Sequence, residues 1–149
     1  LQKALSISKL PPNALIFQFR EIDAVRYLNQ AAALCEEMKK AQGQVGISNF
    51  GLAINPLKTL ERIKADFVKV DRVIVEKLAN AGQGKAAQGK EEFQNIMGGM
   101  TGTGVDVIVP FVETATIIPI LWQQGVQYIQ GHYINKPSFT MDYDFSEGP

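Results

Sequence analysis

The sequence has little of what staples, wires or anchors a protein. Its 149 residues include one cysteine, Cys35, and one histidine, His132. A single cysteine excludes an internal disulfide framework and a Cys-rich zinc site. Cys35 falls on the apolar face of a predicted helix and reads as a core residue. No run of about 18 apolar residues occurs, so no membrane-spanning helix is expected. No signal-peptide pattern opens the chain, and a reducing, cytoplasmic setting is the expectation. Neither sign of charge is in excess, since Lys+Arg and Asp+Glu both number 15. A general nucleic-acid binder needs a basic surplus to neutralise phosphates. Neither nucleic acid nor membrane is therefore an expected partner, whereas a small anion held by a few local donors is compatible with this balance.

One scarcity is local. The stretch "VGISNFG", residues 45–51, reads as a buried strand that runs out to a polar tip, Ser48-Asn49, and breaks at a glycine. In α/β proteins such tips carry the groups that bind ligands and do chemistry. Both positions here are polar, and neither is charged.

What is present suffices for a core. The chain is 46% hydrophobic and 20% charged, which suits one compact domain. Five short apolar runs, at residues 15–19, 45–47, 67–70, 105–109 and 127–129, alternate with helical patterns. The first helix is predicted over residues 23–41, with Asp23 as its cap and Val25, Leu28, Ala32, Cys35 and Met38 on one face. The second has Asn55 as N-cap and Pro56 at the first helical position, with Leu57, Leu60 and Ile63 as its stripe. A third follows Asp71 and is interrupted by "NAGQGKAAQGK", a glycine-rich segment that predicts a flexible loop over residues 80–91. Helical spacing resumes with Phe93, Ile96, Met97 and Met100. The last helix is predicted from about Thr116, burying Ile117, Ile118, Leu121 and Trp122, with Gly125 closing it. The tail from Ile134 reads as extended and loop-like.

Strand and helix in strict alternation imply a parallel sheet with crossover helices. A doubly wound open sheet and part of a TIM-type barrel both fit. Either gathers ligands at the C-terminal strand ends, which here are Arg20-Glu21, Ser48-Asn49, Lys69 with Asp71, Pro110 to Glu113, and Gln130-Gly131.

Several motifs have a functional and a structural reading. "GKAAQGKE" nearly matches the phosphate-binding pattern G-x-x-x-x-G-K-[ST]. Its last position is Glu91, where a hydroxyl is required, and no strand precedes it, so it reads as surface loop. "FVKVD" sets Lys69 and Asp71 on one side of a strand, either as a structural pair or with the lysine facing a phosphate or a water. "VIVPFVET" ends a strand in Pro-Phe, making Phe111 either core or a stacking platform for a base. Glu113 follows, placed to accept hydrogen bonds from a guanine edge. His132 reads as a satisfied structural group.

Together these segments resemble the EAL-domain family, the cyclic di-GMP phosphodiesterases. "LIFQFRE" matches a pattern like L-x-L-E-x-T-E, "VGISNFG" matches I-x-L-D-D-F-G, and "FVKVD" matches the K-x-D strand. "VIVPFVET" and "YIQGHYI" match V-x-A-E-G-V-E-T and Q-G-Y-x-F. The resemblance implies a TIM-type (β/α)8 barrel. Residues 1–149 would supply roughly the five C-terminal strands and their helices, with the N-terminal strands and the EAL tripeptide absent. Family members resembling this pattern hydrolyse cyclic di-GMP with two Mg²⁺ or Mn²⁺ ions held by carboxylates. By that resemblance Glu21 matches a metal-binding glutamate, Lys69 the catalytic lysine, Glu113 the second glutamate of E-x-x-E, and Gln130 the glutamine near the ligand.

The departures then decide the expectation. Ser48 and Asn49 replace the two aspartates of D-D-F-G, and Pro110 replaces the first glutamate of E-G-V-E. Hard divalent cations need clustered anionic oxygens. No metal, no cofactor and no catalysis are therefore expected. Neutral donors suit an anion bound without cations. The expected function is a cyclic di-GMP receptor using Phe111, Glu113, Gln130, Asn49, Ser48, Lys69 and Glu21. The alternatives are a docking module that no longer binds the nucleotide, or a weak residual phosphodiesterase. "S-x-F-G", "P-F-V-E" and "MDYDF" look most like the FimX group of degenerate GGDEF-EAL proteins. That likeness implies control of type IV pili and twitching motility, upstream GGDEF-like and sensor domains, and a PilZ-type protein as partner. Self-association is expected as a way to cover the sheet edges that five strands leave open.

Overall fold

The computed structural model describes residues 10–80 and 86–140. Its centre is one sheet of five strands: β1 (Ile16–Arg20), β2 (Gln44–Phe50), β3 (Phe67–Val70), β4 (Asp106–Val109) and β5 (Tyr128–Ile129). Every neighbouring pair is parallel, and the spatial order is the chain order. A doubly wound sheet reverses its strand order partway across. A sheet that always steps the same way is a segment of barrel wall, which decides between the two architectures that the sequence leaves open.

Five of the residues at the centre of this wall, Val45, Ile47, Val68, Val70 and Val109, are almost fully buried. Side chains of this kind form continuous apolar runs because helices cover one face of the sheet and the barrel interior the other. β1 lies at the edge, and its residues alternate between exposed and half-buried.

The crossovers are α1 (Glu21–Arg26), α2 (Leu28–Lys40), α3 (Pro56–Ile63), α4 (Arg72–Ala79), α5 (Ala86–Met100), and a short 3-10 turn at Ala115–Ile117 that leads into α6 (Ile118–Gln123). α3 begins at Pro56 after Asn55, as predicted. α4 is capped by Asp71, whose Oδ1 accepts the Val73 N–H at 2.8 Å.

Three expectations are corrected. The single helix over residues 23–41 is two, broken at Tyr27, where φ is −122° and ψ is 47°. Asp23 is not its cap but a first-turn residue of α1, paired with Arg20 Nε at 2.9 Å. Val25 is exposed, while Ala24, Ala31, Cys35 and Met38 make the buried face. The apolar spacing runs unbroken through the kink and so conceals it. The flexible loop predicted over residues 80–91 is helix from Ala86 onward, and residues 81–85 lie outside the described residues. Burial of Phe93 and contact with α4, including an ion pair of Lys77 with Glu92 at 2.8 Å, hold that helix despite its glycines. Trp122 is 68% exposed rather than buried, whereas Ile117, Ile118 and Leu121 are inside. The predicted tail is without regular structure through residue 140, and its remainder falls outside the described residues.

Cys35 is buried as expected, and burial pushes its thiol up to about 11. No helix among the described residues is long and apolar enough to cross a membrane.

Candidate functional site

The parallel strands end together, and at their C-terminal ends the rim encloses a cavity of about 650 Å3. Gln18 of β1, Ser48 and Asn49 of β2, and Lys69 of β3 line one part of it. The segments that leave β4 and β5 supply the rest. Six of the seven predicted residues, Ser48, Asn49, Lys69, Phe111, Glu113 and Gln130, line this one cavity.

Glu21, the seventh, does not. It opens α1, and that helix start turns its side chain toward the loop after β2. There its Oε2 accepts the N–H groups of Leu52 at 3.0 Å and Ala53 at 2.9 Å, and both oxygens accept Gly51 N–H at 3.2 Å. The carboxylate is buried and lies in a neighbouring hollow beside Ile22, Leu52 and Ile54. Burial holds its pKa above the ordinary value, opposing the pull of the three N–H groups, and the nearby Asp71 adds to the rise. The ionised form is thus the disfavoured one in the fold. The stability that follows from the shift is complete below the ordinary value of 4.5 and is lost as pH rises through the folded-state value. Glu21→Gln turns an amide N–H₂ against backbone donors and should cost about 1–3 kcal/mol. Urea unfolding at a series of pH values checks this, and the cost should shrink as pH rises from 4.5. A cost that grows with pH would contradict the assignment.

The polar residues of the cavity are held by hydrogen bonds within the rim and just behind it. Lys69 Nζ donates to Gln130 Oε1 at 3.2 Å. Asn49 Nδ2 donates to Asp71 Oδ2 at 3.1 Å, and Ser48 Oγ donates to the Phe19 carbonyl at 3.3 Å. Lys69 and Asp71, neighbours on one strand side in the sequence, therefore serve different partners: the lysine faces the cavity, and the buried aspartate caps a helix. Asn49 has a φ of 50°, in the left-handed region that asparagine enters more readily than most residues.

Phe111 is wall rather than core. It is 46% exposed, and the Arg72 guanidinium lies 5.1 Å from its ring centroid. Its φ is 61°. For a residue with a bulky side chain this is an outlier, costing about 1–2 kcal/mol. Strain of this kind collects where a site over-determines the backbone.

Behind the ring, the β4 and β5 exits are zipped together. Val112 N–H donates to the Gln130 carbonyl at 3.0 Å, and Tyr133 N–H donates to the Val112 carbonyl at 3.0 Å. Gly131 sits directly against the Val112 backbone.

Sequence reasoning missed five polar lining residues: Gln18, Arg72, His132, Asn135 and Lys136. His132, which the sequence presents as a satisfied structural group, is exposed and lines the cavity. Arg72 carried a usable signal, because it follows a strand-end aspartate and opens a helix on the ligand side of the sheet. Lys69, Arg72 and Lys136 line the cavity beside one carboxylate, Glu113, and Glu76 offsets Arg72 at 2.6 Å from just outside the lining, which leaves a surplus of one positive charge (three minus two).

The EAL domain family matches residues 1–137 of this chain. The FimX EAL domain from Pseudomonas aeruginosa bound to c-di-GMP superposes with a TM-score of 0.84 and 37% sequence identity, covering 97% of this chain and 57% of that one. The Xanthomonas citri FimX EAL domain in complex with c-diGMP superposes with a TM-score of 0.82 and 22% identity, over 97% and 55% of the two chains, a likeness of fold. The cyclic di-GMP phosphodiesterase PdeB of Shewanella oneidensis is 24% identical over 144 residues, which is 96% of this chain and 16% of PdeB. The chain thus spans just over half the length of these two solved domains and about a sixth of this curated relative.

Proposed function

The chain belongs to the EAL domain family, and from that premise we propose that it is a receptor for cyclic di-GMP that has given up catalysis. The observation that carries this reading is the chemistry of the strand tips. At Ser48, Asn49 and Pro110, where active family patterns set carboxylates, this chain has none. The donors that remain do not fit a pair of hard divalent cations. Glu21 is committed to three backbone N–H groups, and Asp71 to the start of α4 and to Asn49. Among the described residues no three His, Cys, Asp or Glu side chains are grouped to hold a cation. Metals of this kind need clustered anionic oxygens, and no hydrolytic step is assigned here.

The same cavity suits the ligand itself. Its size lies within the usual range for small-molecule sites, about 300–1,000 Å3. Its two lysines, Lys69 and Lys136, complement the two phosphates of a cyclic dinucleotide. Lys69 and the second amide proton of Asn49 supply hydrogen bonds to anionic oxygens, and Ser48 joins them by turning its one hydroxyl proton away from the Phe19 carbonyl. The exposed ring of Phe111 offers a surface for a guanine, and Glu113 can accept from the N–H edge of that base. The 37% identity with a FimX EAL domain supports extending the reading: control of type IV pili and twitching motility, with a PilZ-type protein as partner and GGDEF-like and sensor domains elsewhere in the same polypeptide.

A docking module without nucleotide is the second reading. It is favoured by the apolar side chains of Ile22, Leu52 and Ile54, exposed beside the Glu21 loop. Isothermal titration of the intact native protein with cyclic di-GMP, in EDTA and in Mn²⁺, separates the readings. A receptor of this design binds equally in both and releases no linear product. Absence of binding in both conditions supports the docking reading, and product that forms only with Mn²⁺ restores the phosphodiesterase.

A further inference from the structure

Arg72 is the first residue of α4, and three observations bear on what it does at the cavity. Its guanidinium covers one side of the Phe111 ring, 5.1 Å from the centroid. Its Nε donates to Glu76 Oε1, one helical turn along, at 2.6 Å. The helix start that presents it is fixed by Asp71, which accepts the Val73 N–H with one carboxylate oxygen and Asn49 Nδ2 with the other. A continuous set of contacts therefore runs from the tip of β2, through the cap of α4, to the ring beyond β4. The ring needs such a hold, because its backbone stands in a left-handed conformation and the side chain is half open to solvent.

We propose that Arg72 is a positioning residue for base recognition: its guanidinium clamps one face of Phe111 so that the opposite face is presented, already oriented, to a purine. This rests on the reading of the cavity as a cyclic di-GMP site. An exposed ring loses rotamer freedom when a base stacks on it, and a ring already fixed loses less. A flat guanidinium is suited to the task because it stacks on an aromatic face while its edge nitrogens keep their partner, here Glu76. The ammonium of a lysine is a compact point charge and does not stack in this way. The arrangement also separates two roles that are easily merged: Lys69 serves the phosphates by charge, and Arg72 serves the base through another side chain.

A double-mutant cycle on the intact native protein tests this, with cyclic di-GMP affinity measured by isothermal titration. Arg72→Gln should weaken binding roughly threefold to tenfold when Phe111 is present and have no effect in a Phe111→Ala background. Arg72→Lys, which keeps the charge, should weaken binding as much as Arg72→Gln. Equal losses in both backgrounds, or full affinity in Arg72→Lys, would show Arg72 acting on the ligand by charge alone and would overturn the inference. Full affinity in Arg72→Gln would overturn it as well. If the unaltered protein fails to bind, the receptor reading falls first and takes this inference with it, an outcome distinct from each of the others. Thermal melts of the variants, expected to match the unaltered protein because Arg72 is exposed, confirm that affinity is not lost through unfolding.

Discussion

Replacing Gly131 with alanine should destabilise the protein by about 3 kcal/mol or more and collapse the ligand cavity. A Cβ at this position would lie 2.7 Å from the carbonyl carbon of Val112 and closer still to its nitrogen and oxygen. The clash is with backbone, so no side chain can swing aside. Nor can the backbone retreat cheaply, because Val112 is bonded on both sides, to the Gln130 carbonyl and to the Tyr133 N–H, each at 3.0 Å. Relief requires the exits of β4 and β5 to part, and those exits carry Phe111, Glu113 and Gln130. Domains of this size have only about 5–15 kcal/mol to lose. The midpoint of urea unfolding should fall sharply, and an unchanged midpoint would mean that the two exits are not packed as described.

The second large effect pairs two substitutions at Phe111. Phe111→Ala and Phe111→Gly should each weaken cyclic di-GMP binding by about 1–3 kcal/mol, the usual worth of one stacked base, or roughly five- to 150-fold. Their stabilities should differ. Alanine keeps a Cβ in the left-handed region and retains the backbone cost of about 1–2 kcal/mol, whereas glycine occupies that region freely. Glycine is thus expected to be the more stable variant and no better a binder. Titration and denaturant unfolding, run on both, check the two halves independently. A glycine variant that binds as tightly as the parent would remove the ring from the site.

Much of this was legible in the sequence for a simple reason. A strand buried on both faces must be apolar at every position, so the runs around Val45, Val68 and Val107 announced themselves. The barrel sense was legible only through the motifs that resemble the EAL family, because the alternation of strand and helix is by itself the same for singly and doubly wound sheets. The kink at Tyr27 was hidden by a spacing that continues across it. The start of α5 was hidden because glycines that normally end helices sit inside this one, held by packing. At the site, residues with a pattern around them were found. Arg72 and Lys136 were missed because their importance comes from which elements meet in space. Glu21, expected with the other six, lies in the adjacent hollow, where its carboxylate accepts the N–H groups of Gly51, Leu52 and Ala53.

The sequential strand order carries a consequence for how such a wall is assembled. β2 needs only β1, β3 needs only β2, and each later strand docks on the one just completed. No pairing waits for a distant part of the chain, and even the longest crossover, from Val70 to Asp106, is shortened by two helices that pack on each other. Loop closure of this length costs little more than a short one. A polypeptide emerging from the ribosome can therefore lay down this wall plank by plank, each strand bringing its own share of the binding rim, Ser48 and Lys69 before Phe111 and Gln130.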